Sequence, residues 1–176
     1  MNKAVFLDRD GTLNVEVDYL HECEKLRLID NTAEALKLLR AAGYLLIVIS
    51  NQSGVGRGYF TCDDVDKINN RMNELLGVQG IQLDAFYYCP HKAEDGCTCR
   101  KPDTGLYLRA ARDFDIDFAC SYMVGDKEAD ILPALKLGAG YGLVLSGHSV
   151  APEIIEKYKA NCFANLMEFA KSIEGK

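Results

Sequence analysis

The chain has 176 residues, 48% of them apolar and 26% charged, with 26 acidic against 20 basic side chains and a formal net charge of −6. That length and composition fit one globular domain, expected to span residues 1–176 as a monomer. The acidic excess argues against a nucleic-acid partner, and no apolar run approaches the roughly 18 residues needed to cross a bilayer, so no membrane partner is expected either.

Met1-Asn2-Lys3 leads straight into a short apolar run rather than a signal-peptide pattern, so a cytoplasmic location is expected. Ala4 to Leu7 reads as a buried strand that ends at Asp8. Asn31 or Thr32 caps a helix running through Ala42, with Gly43 at its end. Tyr44 to Ile49 is a second strand, followed by Ser50-Asn51-Gln52. Thr61 with Asp64 resembles a capping box and opens a helix with Val65, Ile68, Met72, Leu75 and Leu76 on one face. Ala85 to Tyr88 is a third strand leading to Cys89, and Thr104 caps a helix through Asp113. Tyr122 to Val124 is a fourth strand before Gly125-Asp126, and Glu128 to Leu137 is a helix stopped by Gly138. A fifth strand, Gly142 to Leu145, and helices over Ala151–Lys159 and Leu166–Ile173 complete the chain.

This alternation predicts an α/β fold: a doubly wound, mostly parallel sheet with helices on both faces and no cap domain. Ligands of such sheets bind beyond the carboxyl ends of the strands. Asp8 and Asp10, Ser50, Cys89 and His91, and Asp126 all fall there. Two carboxylates one residue apart on an extended chain face the same way and repel, unless a divalent cation shares them or one holds a proton. Gly11 permits a sharp turn and a close approach to a ligand, and Asp126 offers a further oxygen. A few oxygen ligands suit Mg²⁺, which keeps several waters and binds substrate phosphate.

Phe6-Leu7-Asp8-Arg9-Asp10-Gly11-Thr12-Leu13-Asn14, Ser50-Asn51-Gln52, Lys101 and Gly125-Asp126-Lys127-Glu128-Ala129-Asp130 resemble the motifs of the haloacid dehalogenase (HAD) superfamily of phosphotransferases. The resemblance implies that Asp8 is a covalent nucleophile and Asp10 the general acid/base. It further implies that Asp8, the Asp10 carbonyl and Asp126 hold catalytic Mg²⁺, supported by Asp130, and that Ser50 and Lys101 hold the phosphoryl oxygens.

Cys89-Pro90-His91 and Cys97-Thr98-Cys99 supply three thiolates and an imidazole, a complete tetrahedral set with no position left for water. A structural Zn²⁺ in this loop is expected, fixing where Arg100 and Lys101 point. The other cysteines (Cys23, Cys62, Cys120, Cys162) read as buried thiols. The zinc loop, and the run from Asn51-Gln52-Ser53-Gly54 through Arg57-Gly58-Tyr59-Phe60, resemble the branch holding heptose bisphosphate 7-phosphatases and histidinol-phosphate phosphatases. The implied substrate is a small phosphorylated sugar, with histidinol phosphate as the alternative. Asp18, Tyr19, Asn51, Gln52, Ser53, Arg57, Arg100 and Lys127 are the substrate-binding candidates, while His21 and His148 read as surface or turn residues. Competing readings are a phosphotransferase with an acceptor other than water and a non-enzymatic zinc-stabilised protein-interaction module. The latter leaves the acidic motifs unexplained.

Overall fold

The computed structural model describes residues 1–174. Ala4 to Leu7 and Leu46 to Ile49 are at most 1% exposed, so neither strand has a polar face. Strands of that kind must be covered on both sides. They are β1 (Ala4–Leu7) and β2 (Leu45–Asn51), followed by β3 (Ala85–Cys89), β4 (Tyr122–Gly125), β5 (Gly140–Val144) and β6 (Cys162–Phe163). All pair in parallel, in the order β3-β2-β1-β4-β5-β6.

The helices are α1 (Thr32–Ala41), α2 (Ser53–Gly56), α3 (Cys62–Val78), α4 (Gly105–Phe114), α5 (Glu128–Leu137), α6 (Pro152–Tyr158) and α7 (Leu166–Ile173). Side chains alternate along β1. Val5 and Leu7 join Leu36 and Leu39 of α1, Ile68 and Met72 of α3 and Phe169 of α7 in one core. Ala4 and Phe6 join Leu106 and Tyr107 of α4 and Ala134 of α5 in another. The doubly wound reading of the sequence is thus the observed architecture. Between β1 and α1 lies one 3-10 turn, Cys23–Lys25, and no inserted cap domain occurs among the described residues.

The differences are local. β2 extends through Ser50 and Asn51, because these residues pair with Tyr88 and Cys89 of β3. β5 starts at Gly140, and Gly142 lies so close to the Phe169 ring that a Cβ there would meet its Cδ2 at 2.5 Å. β6 and the single turn of α2 are too short to leave a periodic pattern. The Thr61–Asp64 capping box forms, and the bonds from Thr61, helped by Lys67, hold the Asp64 carboxyl down to about 2. Asn31 and Thr104 make no side-chain cap; Asn31 sits in the left-handed region at φ 63°. The four scattered cysteines are not buried: Cys62 and Cys120 are exposed, Cys23 and Cys162 half-buried. They lie near element ends rather than on the inner faces of helices.

The strand order reverses at β1. The chain steps outward through β2 and β3, then returns to β4 on the other side. The resulting crevice lies at the carboxyl ends of β1 and β4, where Asp8 and Asp126 follow.

Candidate active site

Asp8 leaves β1 with its amide donating to the Val124 carbonyl (2.8 Å), which ties it to β4. Its carboxylate is 8% exposed. Lys101 Nζ donates to Asp8 Oδ1 (2.8 Å) and to the Ile49 carbonyl (2.7 Å), and lies 2.6 Å from Asp130 Oδ1. Burial works against the charge on Lys101, but Asp130 and Asp8 outweigh it and raise its pKa. Burial, with Asp130 next, pushes the Asp8 carboxyl up to about 8 against the pull of Lys101. Two buried acids, Asp8 and Asp130, thus share one ammonium, with a third, Asp126, beside them.

Asp10 is held differently. Its Oδ2 accepts from Arg9 Nε (3.2 Å) and Nη2 (3.0 Å) and from Gln52 Nε2 (3.0 Å), and its Oδ1 accepts from Asn14 Nδ2 (3.0 Å). Burial opposes ionisation, but Arg9 and the bonds from Asn14 and Gln52 prevail and lower its pKa. Arg9 is fully buried, and its Nη1 donates to Asn69 Oδ1 on α3 (3.1 Å). Arg9 and Asn14 sit within the first motif with no role assigned to them, and Asn69 lies outside every motif. A buried arginine is legible only once its partners are placed.

Asp126 accepts two bonds on Oδ2, from the His148 amide and from His148 Nδ1, both at 2.8 Å. Its Oδ1 is buried without a hydrogen-bond partner. One oxygen from each of Asp8, Asp126 and Asp130 lies within 4.8 Å of the others. An orphaned carboxylate oxygen and an excess of buried negative charge fit a hard divalent cation such as Mg²⁺.

The cavity over these groups is about 210 Å³ and is bordered by Asp8, Asp10, Lys101, Asp130, Glu16 and Phe60, among others. Of the residues expected at substrate, Asp18, Tyr19, Asn51, Gln52, Ser53 and Lys127 border it. Arg57 and Arg100 do not border it. Arg57 is exposed after α2, and Arg100 turns towards the zinc loop, where Nη1 donates to the His91 carbonyl (3.3 Å). Asn51 is also occupied: its Nδ2 donates to the Lys101 carbonyl (3.1 Å) and its Oδ1 accepts from the Lys101 amide (3.0 Å). It therefore splints the lysine backbone to the end of β2. Ser50 is 2% exposed, and its Oγ accepts from Gln52 Nε2 (3.3 Å). Glu16 and His148 also belong to the site, although nothing in their sequence neighbourhoods pairs them with Asp126.

Cys89, His91, Cys97 and Cys99 converge beside Lys101. Cys99 Sγ is 3.1 Å from Cys89 Sγ, 3.5 Å from Cys97 Sγ and 3.2 Å from His91 Nδ1. A tetrahedron of ligands about 2.3 Å from a zinc ion has edges of roughly 3.8 Å, so the donor set fits Zn²⁺ after slight expansion.

A buried carboxylate and a buried ammonium, Asp8 and Lys101, thus meet at the switch point of a parallel sheet. A HAD-hydrolase-like family model matches residues 98–167. The D-glycero-beta-D-manno-heptose-1,7-bisphosphate 7-phosphatase of Pasteurella multocida is 46% identical over 138 residues, covering 75% of each chain. The protein of the same name from Haemophilus influenzae is 44% identical over 146 residues, covering 80% of this chain and 77% of that one. Among solved structures, a D,D-heptose 1,7-bisphosphate phosphatase from B. bronchiseptica, complexed with magnesium and phosphate, superposes with a TM-score of 0.85 at 30% identity over 97% of both chains. The chain belongs to the HAD-like hydrolases, in the branch of the heptose bisphosphate 7-phosphatases. Its reaction is phosphoric monoester hydrolysis.

Proposed function

We propose that this enzyme removes the 7-phosphate of D-glycero-β-D-manno-heptose 1,7-bisphosphate through an aspartyl-phosphate on Asp8. The observation that carries the chemistry is the buried contact between Lys101 Nζ and Asp8 Oδ1. It sets a cation beside the attacking carboxylate, where repulsion from a phosphate dianion must be overcome. The names of the relatives support the sugar.

In the first step an Asp8 oxygen bonds to phosphorus while the bond to the sugar oxygen breaks and Asp10 gives that oxygen its proton. In the second, Asp10 takes a proton from water, the water oxygen bonds to phosphorus, and the Asp8–phosphorus bond breaks to release inorganic phosphate. Asp10, lowered by Arg9, Asn14 and Gln52, acts readily as the donor once it is protonated. A bound phosphate dianion raises its proton affinity beforehand. The Asp8 and Asp126 carboxylates and the Asp10 carbonyl would hold Mg²⁺, with Asp130 nearby. When bound, this ion supplies charge neutralisation between nucleophile and phosphoryl group. Ser50 and Lys101 hold the transferring oxygens, and Lys127 offers a further cation at the cavity wall.

The zinc loop is structural: it holds Cys99 two residues from Lys101 and so fixes the lysine's approach. Unpaired thiols in the zinc set suit a reducing compartment such as the cytoplasm. The test compares kcat/KM for each anomer of heptose 1,7-bisphosphate with that for histidinol phosphate, alongside Asp8→Asn. The β-anomer is expected to lead by at least tenfold, and the variant to release no phosphate. A lead for histidinol phosphate would overturn the substrate, and an active Asp8→Asn would overturn the nucleophile.

A further inference from the structure

The loop after β5, Ser146-Gly147-His148, is absent from the phosphoryl-transfer motifs, yet it closes on the acid that would hold the cation. Ser146 Oγ donates to the Gly11 carbonyl (2.9 Å), fastening this loop to the turn that carries Asp10. Gly11 and Gly147 both lie against Asp126 Oδ2, and a Cβ built on either would overlap it. His148 completes the enclosure. Its amide and its Nδ1 both lie 2.8 Å from Asp126 Oδ2. A carboxylate has no proton to give, so the imidazole carries its hydrogen on Nδ1 and donates.

Two donors on one oxygen leave the other, Oδ1, buried and free of any hydrogen bond. A carboxylate can otherwise rotate and present either oxygen or both. Here rotation would break two bonds and drive an oxygen against glycine backbone. The His148 side chain is 40% exposed and the Asp126 side chain is fully buried, so the imidazole reaches in from the surface rather than filling core.

We propose that His148 is a positioning residue for the divalent cation: it locks the Asp126 carboxylate so that Oδ1 alone is presented, and thereby sets metal affinity. This rests on the Mg²⁺ reading above. Partners of this kind, one bond removed from a metal, typically govern affinity by ten- to a hundredfold. The Glu16 carboxylate, 3.6 Å from Nδ1, lies further off than Asp126 Oδ2 and is the lesser partner of the ring.

The test measures Mg²⁺ binding to the zinc-loaded full chain by titration calorimetry, together with the Mg²⁺ concentration giving half-maximal phosphate release. The proteins are wild type, His148→Ala and His148→Asn. Asparagine can place an amide N–H where Nδ1–H stands. His148→Ala is expected to weaken Mg²⁺ binding by about tenfold or more in both readouts. Its kcat at saturating Mg²⁺ should fall far less, and His148→Asn should recover most of the affinity. Equal Mg²⁺ affinity in wild type and His148→Ala would overturn the proposal. So would a raised substrate KM at unchanged Mg²⁺ affinity, which would mean that the ring touches substrate. No Mg²⁺ binding by wild type would instead overturn the metal reading itself. Thermal melting of the zinc-loaded, Mg²⁺-free proteins guards against misfolding: if His148→Ala melts far below wild type, His148→Asn and His148→Gln carry the comparison, and equal affinity in His148→Gln, whose longer amide misplaces the donor, overturns the proposal.

Discussion

Replacing Lys101 by methionine keeps an unbranched stem and removes the ammonium. Three interactions go with it, at 2.8 Å to Asp8, 2.6 Å to Asp130 and 2.7 Å to the Ile49 carbonyl. Two carboxylates, 8% and 2% exposed, are then buried without their cation. Breaking a buried ion pair from one side costs about 3–5 kcal/mol, and with two acids depending on one lysine the upper end is expected. Protonation offers an escape, since Asp8 already titrates near 8. The deficit should therefore shrink as pH is lowered from 8 to 5. Urea unfolding of the zinc-loaded protein in Mg²⁺-free buffer measures the stability loss. Phosphate release at saturating Mg²⁺ measures the catalytic loss, expected at about 10²–10³ in kcat, as for other preorganised charge-stabilising groups. A stability change below about 1 kcal/mol at pH 8, with kcat within tenfold of wild type, would refute the claim that this ammonium holds the acids in place.

Four further outcomes are expected. Asp8 titrates near 8 when folded against an ordinary value near 3.8, so the folded protein holds a proton that the unfolded chain releases, and metal-free stability falls as pH rises between those values. Mg²⁺ competes with that proton, so its affinity should rise by up to tenfold per unit between pH 6 and 8 with proton release, as calorimetry in buffers of different ionisation enthalpy would reveal. Elemental analysis should find about one zinc per chain, and Cys99→Ser should lower both zinc content and kcat, because Lys101 follows two residues later. Phe169→Ala removes a ring that is 1% exposed and packs edge-on against Tyr122 and Phe163. It should cost about 3–5 kcal/mol in chemical denaturation.

What can be read in advance follows from which signals are local. β1, β2 and β4 declare themselves by unbroken apolar runs, and the groups that end them mark the edge where the site lies. Asp8, Asp10 and Asp126 are legible because an acid directly after a buried strand is costly to keep there unless a cation or a proton neutralises it. The convergence of Cys89, His91, Cys97 and Cys99 is legible from spacing alone. Arg9, Asn69, Glu16 and His148 are not, since each gains meaning from a partner distant in sequence: Arg9 from Asn69 on α3, His148 from Asp126. Arg100 misleads for the opposite reason. Its neighbour Lys101 enters the site, but adjacent residues on a turn point apart, and Arg100 donates to the zinc loop instead. Asn51 is subtler still, a polar group at a strand end whose amide is consumed by backbone.

The switch-point topology also determines when the enzyme comes into being. β1 is central, flanked by β2 from the first half of the chain and β4 from the second. On the ribosome the nucleophile emerges first and pairs early on one side only. Its ammonium at 101, its companion acids at 126 and 130 and the clamp at 148 arrive in succession. Domains fold as units once their non-local partners are available. A chain that has emerged only through Asp130 carries the acids and their lysine but lacks β5 and α7, whose Phe169 packs in the core behind β1. The pocket is therefore a long-range structure: its floor at β1 is walled by strands from both halves of the chain, and it closes only when those halves have packed together.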